Sequence, residues 1–395
     1  MAASRAVFIV AAKRTPFGTF GGKLKGFTAT EMAYVAAAAA LEAGKVPKEA
    51  VNSVIVGNVA QTSSDAAYLA RHVGLKCGVP ESVGALTVNR LCGSGFQSII
   101  NGAHEIKLGE ANIVLTGGTE SMSQAPYAVR NARWGSPLGV DLKMEDTLWS
   151  SLTDSYCKLP MALTAEKLAD KYGITREDCD RFALASQQRW TNAHKNGYFN
   201  EELVPMEVKG KKGKEPFVAD EHPREASFEK LQQLKPVFKE NGVVTAGNAS
   251  GICDGAGAVV LANEEAINKH NLTPLARLVD YTVVGVDPSI MGIGPAPAIK
   301  QLLEKQGLSL DQIDLVEVNE AFAGQSLSVA KELGLDMEKT NVNGGAIALG
   351  HPLAASGSRI TAHLVHEMRR RDMKRSIGSA CIGGGQGISL LLEKC

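Results

Sequence analysis

The chain has 395 residues, a length that predicts two or three domains because single hydrophobic cores rarely grow so large. Its 42 basic and 42 acidic side chains cancel, so no overall positive field draws it to nucleic acid. The 7 cysteines are irregularly spaced and form no CxxC pair, which argues against a zinc site and against a disulfide framework. We find no apolar run long enough to span a membrane.

The first part of the chain predicts helices that alternate with short strands. From the N-terminus, the predicted elements are a strand over 6–11, a helix over 32–42, strands over 51–56 and 83–88, a helix over 94–107 and a strand over 113–116. The helix over 94–107 carries apolar residues at helical spacing. This alternation indicates an α/β fold with mostly parallel sheets that are covered by helices.

The N-terminal stretch carries basic residues such as Arg5, Lys13 and Arg14 and no acidic residue before Glu31. This composition gives it a weak resemblance to organelle transit peptides. Because the predicted strand over 6–11 lies within it, we expect the stretch to stay on the protein as part of the core.

A long middle segment, residues 120–248, is more polar and matches no other part of the chain. It predicts helices over 164–172 and 176–193. A lysine and glycine run over 209–214 predicts a solvated hairpin or loop, with contact to a phosphate as the alternative. We expect this segment to be an insertion at the carboxyl ends of the strands, where α/β folds bind ligands.

The last part of the chain repeats the pattern of the first part in constant register. It predicts helices over 298–305 and 356–370 and strands over 315–318 and 376–381. The matching residues include Val54 and Val316, Val56 and Val318, Ser94-Gly95 and Ser356-Gly357, and His104-Glu105 and His366-Glu367. This duplication predicts two similar halves and an inserted domain. The expected bounds are 1–120 with 247–272 for the N-terminal half, 121–246 for the insertion and 273–395 for the C-terminal half.

Cys92 lies between the predicted strand over 83–88 and a predicted helix that begins near Ser94. A thiol at this position faces the positive end of the helix dipole, so we expect its pKa to be lowered. The alternative is a small buried cysteine in a glycine-rich turn, since free cysteines are among the most buried residues.

Three later segments also place reactive side chains directly after predicted strands. Taken singly, Asn319 has an alternative as a helix cap, His351 as a satisfied core histidine and Cys381 as strand filler. Together with Cys92 they supply a nucleophilic thiol, an imidazole to take its proton, a second thiol and an amide. Backbone N–H groups in glycine turns can hold an oxyanion.

Six segments, in order, resemble the signature blocks of the thiolase family, and the resemblance covers nearly the whole chain. They are 91–95 (LCGSG), 244–251 (VTAGNASG), 319–322 (NEAF), 343–348 (NGGAIA), 350–352 (GHP) and 381–385 (CIGGG). The resemblance implies the α/β thiolase fold. Two duplicated βαβαβαββ-type halves are then expected in a layered α-β-α-β-α arrangement, with an inserted loop domain on the side that binds coenzyme A (CoA).

The resemblance also implies a role for each reactive residue. Cys92 attacks the keto carbon of a 3-ketoacyl-CoA and becomes acylated, while His351 accepts its proton. Cys381 protonates the departing acetyl-CoA carbanion, and CoA then takes the acyl group from Cys92. One oxyanion site uses His351 with a water held by Asn319, and the other uses the backbone N–H groups of Cys92 and Gly383. The implied reaction is the reversible thiolytic step of fatty-acid β-oxidation.

The implied CoA contacts are Arg224, Ser227 and Ser250, with Phe322 and Met161 along the pantetheine path. CoA is expected as a co-substrate, with no metal and no other cofactor. The resemblance further implies a homo-oligomer, either a dimer or a tetramer, in the mitochondrial matrix. Three rival hypotheses are a short-chain acetoacetyl-CoA thiolase, an acyl-CoA hydrolase and a catalytically silent CoA-binding protein.

The chain departs from the family pattern at Ala354, where the block that follows His351 usually has glycine. If this position needs a positive φ, alanine costs about 1 kcal/mol there. A displaced His351 turn and a lower activity would then follow.

Overall fold

The computed structural model describes residues 5–210 and 213–395. Within them, the strands are β1 (Val7–Arg14), β2 (Gly18–Thr19), β3 (Ser53–Gly57), β4 (Gly84–Val88), β5 (Ile113–Ser121), β6 (Tyr127–Val129), β7 (Met144–Asp146), β8 (Thr153–Asp154), β9 (Leu159–Pro160), β10 (Met206–Gly210), β11 (Gly213–Phe217), β12 (Cys253–Ala262), β13 (Ala276–Gly285), β14 (Leu315–Val318), β15 (Arg375–Ile382) and β16 (Gln386–Lys394). Ten of them form one sheet with the order β14-β15-β16-β13-β1-β12-β5-β3-β4, with β2 paired to β12.

Helices cover both faces of this sheet. They are α1 (Ala29–Ala43), α2 (Leu69–Lys76), α3 (Ser94–Leu108), α4 (Thr147–Ser151), α5 (Met161–Tyr172), α6 (Arg176–Lys195), α7 (Phe228–Gln232), α8 (Glu264–His270), α9 (Pro295–Gln306), α10 (Ala323–Leu333), α11 (Ala346–Leu349) and α12 (Ala355–Arg371). Every helix and strand predicted in the two repeated parts is present, with ends shifted by a few residues.

The core divides into layers because successive residues of a strand point to opposite faces of the sheet. Val54 and Val56 of β3 pack against α1 and α2, whereas Ile55 packs against α3. In the other half, Val316 of β14 packs with α9 and α10. Helices α3 and α12 share one apolar cluster with strands of both halves. The α-β-α-β-α layering implied by the family resemblance is therefore confirmed, with α3 and α12 as the central layer.

The prediction of mostly parallel sheets is wrong. Parallel pairing occurs between β3 and β4, between β3 and β5, and between β14 and β15. The remaining neighbours in the sheet run antiparallel, including β1 with β13, the pair that joins the two halves. The alternation of helices and strands does not reveal return strands, which are strands that run antiparallel to their neighbours in the sheet. Strand β16 turns back at Gly384 and Gly385, which have φ of +76° and +83°, and β12 returns beside β5 only after the whole insertion.

The middle segment forms helices α5 and α6 and three small hairpins, β6–β7, β8–β9 and β10–β11. Strands β10 and β11 flank the lysine and glycine run, so the hairpin interpretation agrees with the described residues, while Lys211 and Lys212 lie outside them. The bounds proposed for the three domains stay a prediction.

Arg14 belongs to a buried ionic network that ties the insertion to β1. Its guanidinium lies 2.6 Å from Glu202 Oε1 and 2.6 Å from Asp220 Oδ1. Strand β1 is thus part of the core, as expected, and residues 1–4 of the basic N-terminal stretch lie outside the described residues.

In the described ranges, no helix combines the length and apolar character needed to cross a membrane.

Candidate active site

The turn that leads into α3 and the turn that leads into α12 meet in the central layer. Their approach depends on glycine, because a Cβ added at Gly95 would lie 2.6 Å from the carbonyl oxygen of Ala354. A Cβ at Gly118 would overlap the same oxygen. These contacts bring the backbone that carries Cys92 close to the backbone that carries His351.

Cys92 and His351 line one cavity of about 190 Å³. Of the predicted CoA contacts, Met161, Ser250 and Phe322 line the same cavity. Its wall is otherwise mostly apolar, with Met122, Trp149, Phe238, Ile252, Met291 and Leu353 among its residues. The cavity can therefore hold an apolar chain beside a thiol and an imidazole.

The Cys92 turn is held by its own backbone and by Ser94. Leu91 has a φ of +47°, and the Ser94 hydroxyl donates to the Leu91 carbonyl oxygen at 2.7 Å. The same oxygen atom of Ser94 accepts the N–H of Arg90 at 2.9 Å. These bonds fix the sharp bend that presents Cys92 at the start of α3.

The expected lowering of the Cys92 pKa is wrong. Burial raises the pKa of the thiol to about 11, and the charge of Glu120 adds to this effect. Hydrogen bonds from the backbone N–H groups of Gly383 and of Cys92 itself act in the opposite direction. The helix end is present as predicted, but desolvation of the thiolate outweighs it.

His351 is buried, and its ring is oriented from both sides. Nδ1 lies 2.6 Å from Ser356 Oγ, and Nε2 lies 3.4 Å from the amide nitrogen of Asn319. Ser356 Oγ also lies 3.4 Å from the Pro352 carbonyl oxygen, which accepts its hydrogen. Nδ1–H therefore donates to Ser356, and Nε2 is left as the acceptor, facing the Asn319 amide nitrogen.

Burial lowers the pKa of His351 to about 3, and the positive charge of Arg359 contributes. The imidazole is consequently neutral at physiological pH and able to accept a proton. Ser356 is a functional residue that the sequence reasoning missed as such. Its match with Ser94 in the repeat was the available signal, but the repeat alone did not show that it contacts His351.

Cys381 is the penultimate residue of β15 and packs against Met291, Ala321 and Phe322. These three residues line the cavity, whereas Cys381 lies outside its lining. Burial raises the pKa of this thiol far above its ordinary value, and the charge of Cys92 adds to the increase. The role of Cys381 in proton transfer stays a prediction.

Asn319 follows β14, and the alternative of a helix cap is wrong, because Phe322 occupies the N-cap of α10. Its backbone N–H donates to the Ser379 carbonyl oxygen at 2.9 Å. Its buried Oδ1 has no hydrogen-bond partner among the described residues. The side chain is aimed at His351 by β14 and β15, which pair in parallel.

The other two predicted CoA contacts lie outside the cavity lining. Arg224 is exposed, and its guanidinium lies 3.4 Å from the carbonyl oxygen of Ala246. Ser227 caps α7 by accepting the N–H of Lys230 at 3.3 Å. Both residues belong to the inserted segment.

Ala354 is not strained. Its φ of −70° and ψ of −25° lie in the right-handed helical region, which alanine adopts freely. Its N–H donates to Glu120 Oε2 at 3.1 Å. The condition under which alanine would displace the His351 turn is therefore not met.

Among residues 5–210 and 213–395, no group of three or more His, Cys, Asp or Glu side chains is arranged to hold a metal ion. The described part of the chain therefore presents no candidate metal centre.

Comparison with known proteins gives matches over the whole chain. The family models described as "Thiolase, N-terminal domain" and "Thiolase, C-terminal domain" match residues 7–265 and 272–394. The chain is 66% identical to "3-ketoacyl-CoA thiolase, mitochondrial" of Rattus norvegicus over 394 residues, which cover 100% of this chain and 99% of that protein. It is 47% identical to "Acetyl-CoA acetyltransferase" of Pseudomonas aeruginosa, with 98% and 99% covered.

A solved structure of human mitochondrial 3-ketoacyl-CoA thiolase in complex with CoA superposes with a TM-score of 0.98 at 64% identity. The match covers 100% of this chain and 99% of the human chain. With two family models that together span nearly all of the sequence, this chain belongs to the thiolase family.

Proposed function

We propose that the chain cleaves 3-ketoacyl-CoA with CoA, forming acetyl-CoA and an acyl-CoA that is two carbons shorter. The observation that carries the proposal is the cavity in which Cys92 and His351, supplied by the two halves, lie beside an apolar wall. The relatives that share 66% of its sequence are named for this activity, and their names place them in mitochondria. We therefore also propose a location in the mitochondrial matrix.

The first step forms a thioester on Cys92. The thiol and the imidazole are both neutral at rest, because burial raises one pKa to about 11 and lowers the other to about 3. The Cys92 proton passes to Nε2 of His351 as the sulfur attacks the keto carbon. Burial disfavours the separated ion pair, so we expect transfer to accompany bond formation rather than precede it.

The second step breaks the C2–C3 bond, whose electron pair remains on C2 of the leaving acetyl-CoA. Cys381 supplies the proton that this carbon needs. Its raised pKa keeps the thiol protonated until a stronger base forms beside it. The thiol of CoA then gives its proton to the Cys381 thiolate and attacks the acyl thioester, while the Cys92 sulfur leaves and regains its proton from His351.

Negative charge that develops on the carbonyl oxygen needs hydrogen-bond donors. The backbone N–H groups of Gly383 and Cys92 act on the Cys92 sulfur and lower its pKa, so we propose them as the donors to the oxygen of an acyl group bound there. Asn319 and His351 form the second candidate site. One lost donor typically raises such a barrier by about 3 kcal/mol.

CoA is proposed as a co-substrate, with no other cofactor and no metal. Met161, Ser250 and Phe322 line the route to Cys92. Arg224 and Ser227 lie on the surface of the insertion, where they can meet the polar end of CoA, and the exposed guanidinium suits a phosphate.

A homo-oligomer, either a dimer or a tetramer, is proposed on the basis of exposed apolar surface. Strand β4 ends the sheet, and its Leu86 is 47% exposed. In the insertion, Trp134 is 90% exposed. Large exposed apolar side chains on an edge strand and a loop favour contact with another chain. Light scattering coupled to size exclusion tests this, and a monomer at micromolar concentration would contradict it.

The function is tested by thiolysis of 3-ketoacyl-CoA substrates with a range of chain lengths, using the wild type and Cys92→Ala. We expect turnover of chains longer than four carbons and none by the variant. Activity restricted to four carbons would favour an acetoacetyl-CoA thiolase, and free fatty acid in excess of acyl-CoA would favour a hydrolase. If intact-mass measurement finds no acyl adduct on the wild type, the result would favour a catalytically silent CoA-binding protein.

A further inference from the structure

Glu120 is a buried carboxylate that joins the two halves close to the candidate active site. It lies near the end of β5 and has no exposed surface. Its Oε1 accepts from the Ala60 N–H at 2.9 Å and from the Asn58 amide at 3.2 Å. Its Oε2 accepts from the Val59 N–H at 3.2 Å and from the Ala354 N–H at 3.1 Å.

The partners of Glu120 belong to the two segments that flank the Cys92 sulfur. Ala354 lies three residues after His351 and precedes α12. Val59 follows β3 and packs in one small apolar cluster with Cys92 and Leu353. One carboxylate thus bonds to a segment of the N-terminal half and to the His351 turn of the C-terminal half.

We infer that Glu120 is a positioning residue whose anionic carboxylate holds the His351 turn against residues 58–60, the segment that packs on Cys92. The inference rests on the proposed function, in which His351 must reach the Cys92 proton. It concerns a residue that touches neither the cavity nor the reacting atoms, because Glu120 acts through the Ala354 and Val59 backbone.

The negative charge is essential because the four partners of Glu120 are all N–H donors. A protonated oxygen, or the NH₂ group of glutamine, would place hydrogen against hydrogen on one side of the carboxyl group. That side would lose its contacts, and a buried N–H without an acceptor costs about 1–3 kcal/mol. Glu120 would then no longer connect residues 58–60 to the His351 turn.

The same geometry predicts a pH dependence. Two ionisable groups interact with Glu120 through their charges, Asp254 on β12 and Cys92 before α3. Burial raises the pKa of Glu120 to about 7, Asp254 adds to this, and the backbone N–H groups oppose it. As the pH falls through about 7 the carboxylate takes up a proton, so turnover should fall with it. Neither Cys92 nor His351 titrates in this window.

The test compares Glu120→Gln with the wild type by two readouts. Thiolysis turnover at pH 8 should fall about 100-fold, the scale of a 1 Å misplacement in a catalytic site, and the acid limb near pH 7 should disappear. Alkylation of Cys92 by iodoacetamide should titrate at lower pH in the variant, because the charge that raises the pKa of Cys92 is gone. A general loss of structure does not predict a lower turnover together with a Cys92 thiol that ionises more easily.

Asp254→Asn is the matched control, since it removes a neighbouring buried carboxylate that bonds to Ser123 and not to the His351 turn. It should keep turnover at pH 8 within about twofold and move the acid limb to lower pH. If Glu120→Gln does not fold, Glu120→Asp keeps the charge, so the acid limb should persist at reduced turnover.

Wild-type turnover in Glu120→Gln, or an unchanged acid limb, would overturn the inference. An unchanged alkylation profile would also overturn it. The alkylation readout needs no thiolysis, so a shifted Cys92 titration in a protein without thiolase activity would refute the proposed function while leaving the placement of Glu120 intact.

Discussion

The turns before α3 and before α12 are the same structural unit put to different uses. The first follows strand β4 and the second follows the short helix α11, and each contains glycine and opens a buried helix of the central layer. The first carries the partly exposed Cys92, and the second carries His351, which is 7% exposed. Neither turn offers both a thiol and an imidazole, so the duplicated scaffold divides one chemistry between two halves.

The two equivalent serines show how the division arises. Ser94 bonds within its own turn, to the Arg90 N–H and the Leu91 carbonyl oxygen. Ser356 instead bonds to the His351 ring at 2.6 Å. A single hydroxyl thus stabilises a bend in one half and orients a side chain in the other. Four experiments test this comparison, from the largest expected effect to the smallest.

Replacement of the thiol should have the greatest effect. In Cys92→Ala, we expect turnover to fall about a millionfold, the scale seen when a covalent nucleophile is deleted. Steady-state thiolysis measures the loss. The control is Cys157→Ala, which changes a cysteine outside the cavity lining and should retain wild-type turnover. Comparable losses in both variants would remove the distinction between the turns.

Removal of the imidazole should have the next largest effect. In His351→Gln, turnover at pH 7 should fall about 10³–10⁴-fold because the general base is lost. The thiol must then ionise unaided, and its pKa is raised to about 11, so residual activity should increase as the pH rises toward that value. A pH–rate profile from 6 to 10 measures this. A residual rate that is flat with pH would contradict the assigned role.

The serine pair gives an intermediate effect and compares the halves directly. In Ser356→Ala, the kcat should fall about 10-fold, since one hydrogen bond of about 1.4 kcal/mol no longer orients His351, while KM changes little. Ser356→Thr should restore part of the rate. In Ser94→Ala, we expect lower thermal stability of the Cys92 turn. Equal kcat losses without a stability change would show that the serines have the same use.

Ala354→Gly should have the smallest effect. Because alanine is unstrained at φ −70°, turnover should be unchanged and the free energy of unfolding should fall by less than about 1 kcal/mol. Thiolysis and thermal denaturation measure the two quantities. A clear increase in turnover would mean that alanine does displace the His351 turn.

The sequence predicted what local patterning controls. The apolar stripes of α3 and α12 are buried as expected, with Phe96, Ile99 and Ile360 among the core residues. The direction of the return strands was missed, because strand pairing depends on partners far apart in the chain. The predicted lowering of the Cys92 pKa was also wrong, because burial raises this pKa and the burial of a side chain depends on the assembled cavity.

The positioning groups were the least predictable part of the site. No sequence motif marks Ser356 or Glu120 as part of the site. Their roles follow from their buried hydrogen bonds, to the His351 ring and to the Ala354 N–H respectively. The reactive residues themselves were recognised because their blocks resemble those of a known family. Their catalytic roles remain predictions until variants are measured.

The central claim is that Cys92 alone carries the acyl group, with His351 supplied by the other half. The most direct measurement is acyl transfer from a saturated acyl-CoA, followed by intact mass and peptide mapping. The half-reaction forms no carbanion, so the wild type and Cys381→Ser should both gain one acyl group on the peptide that contains Cys92. Cys92→Ala should gain none. An adduct on any other residue, or an adduct that persists in Cys92→Ala, would contradict the account.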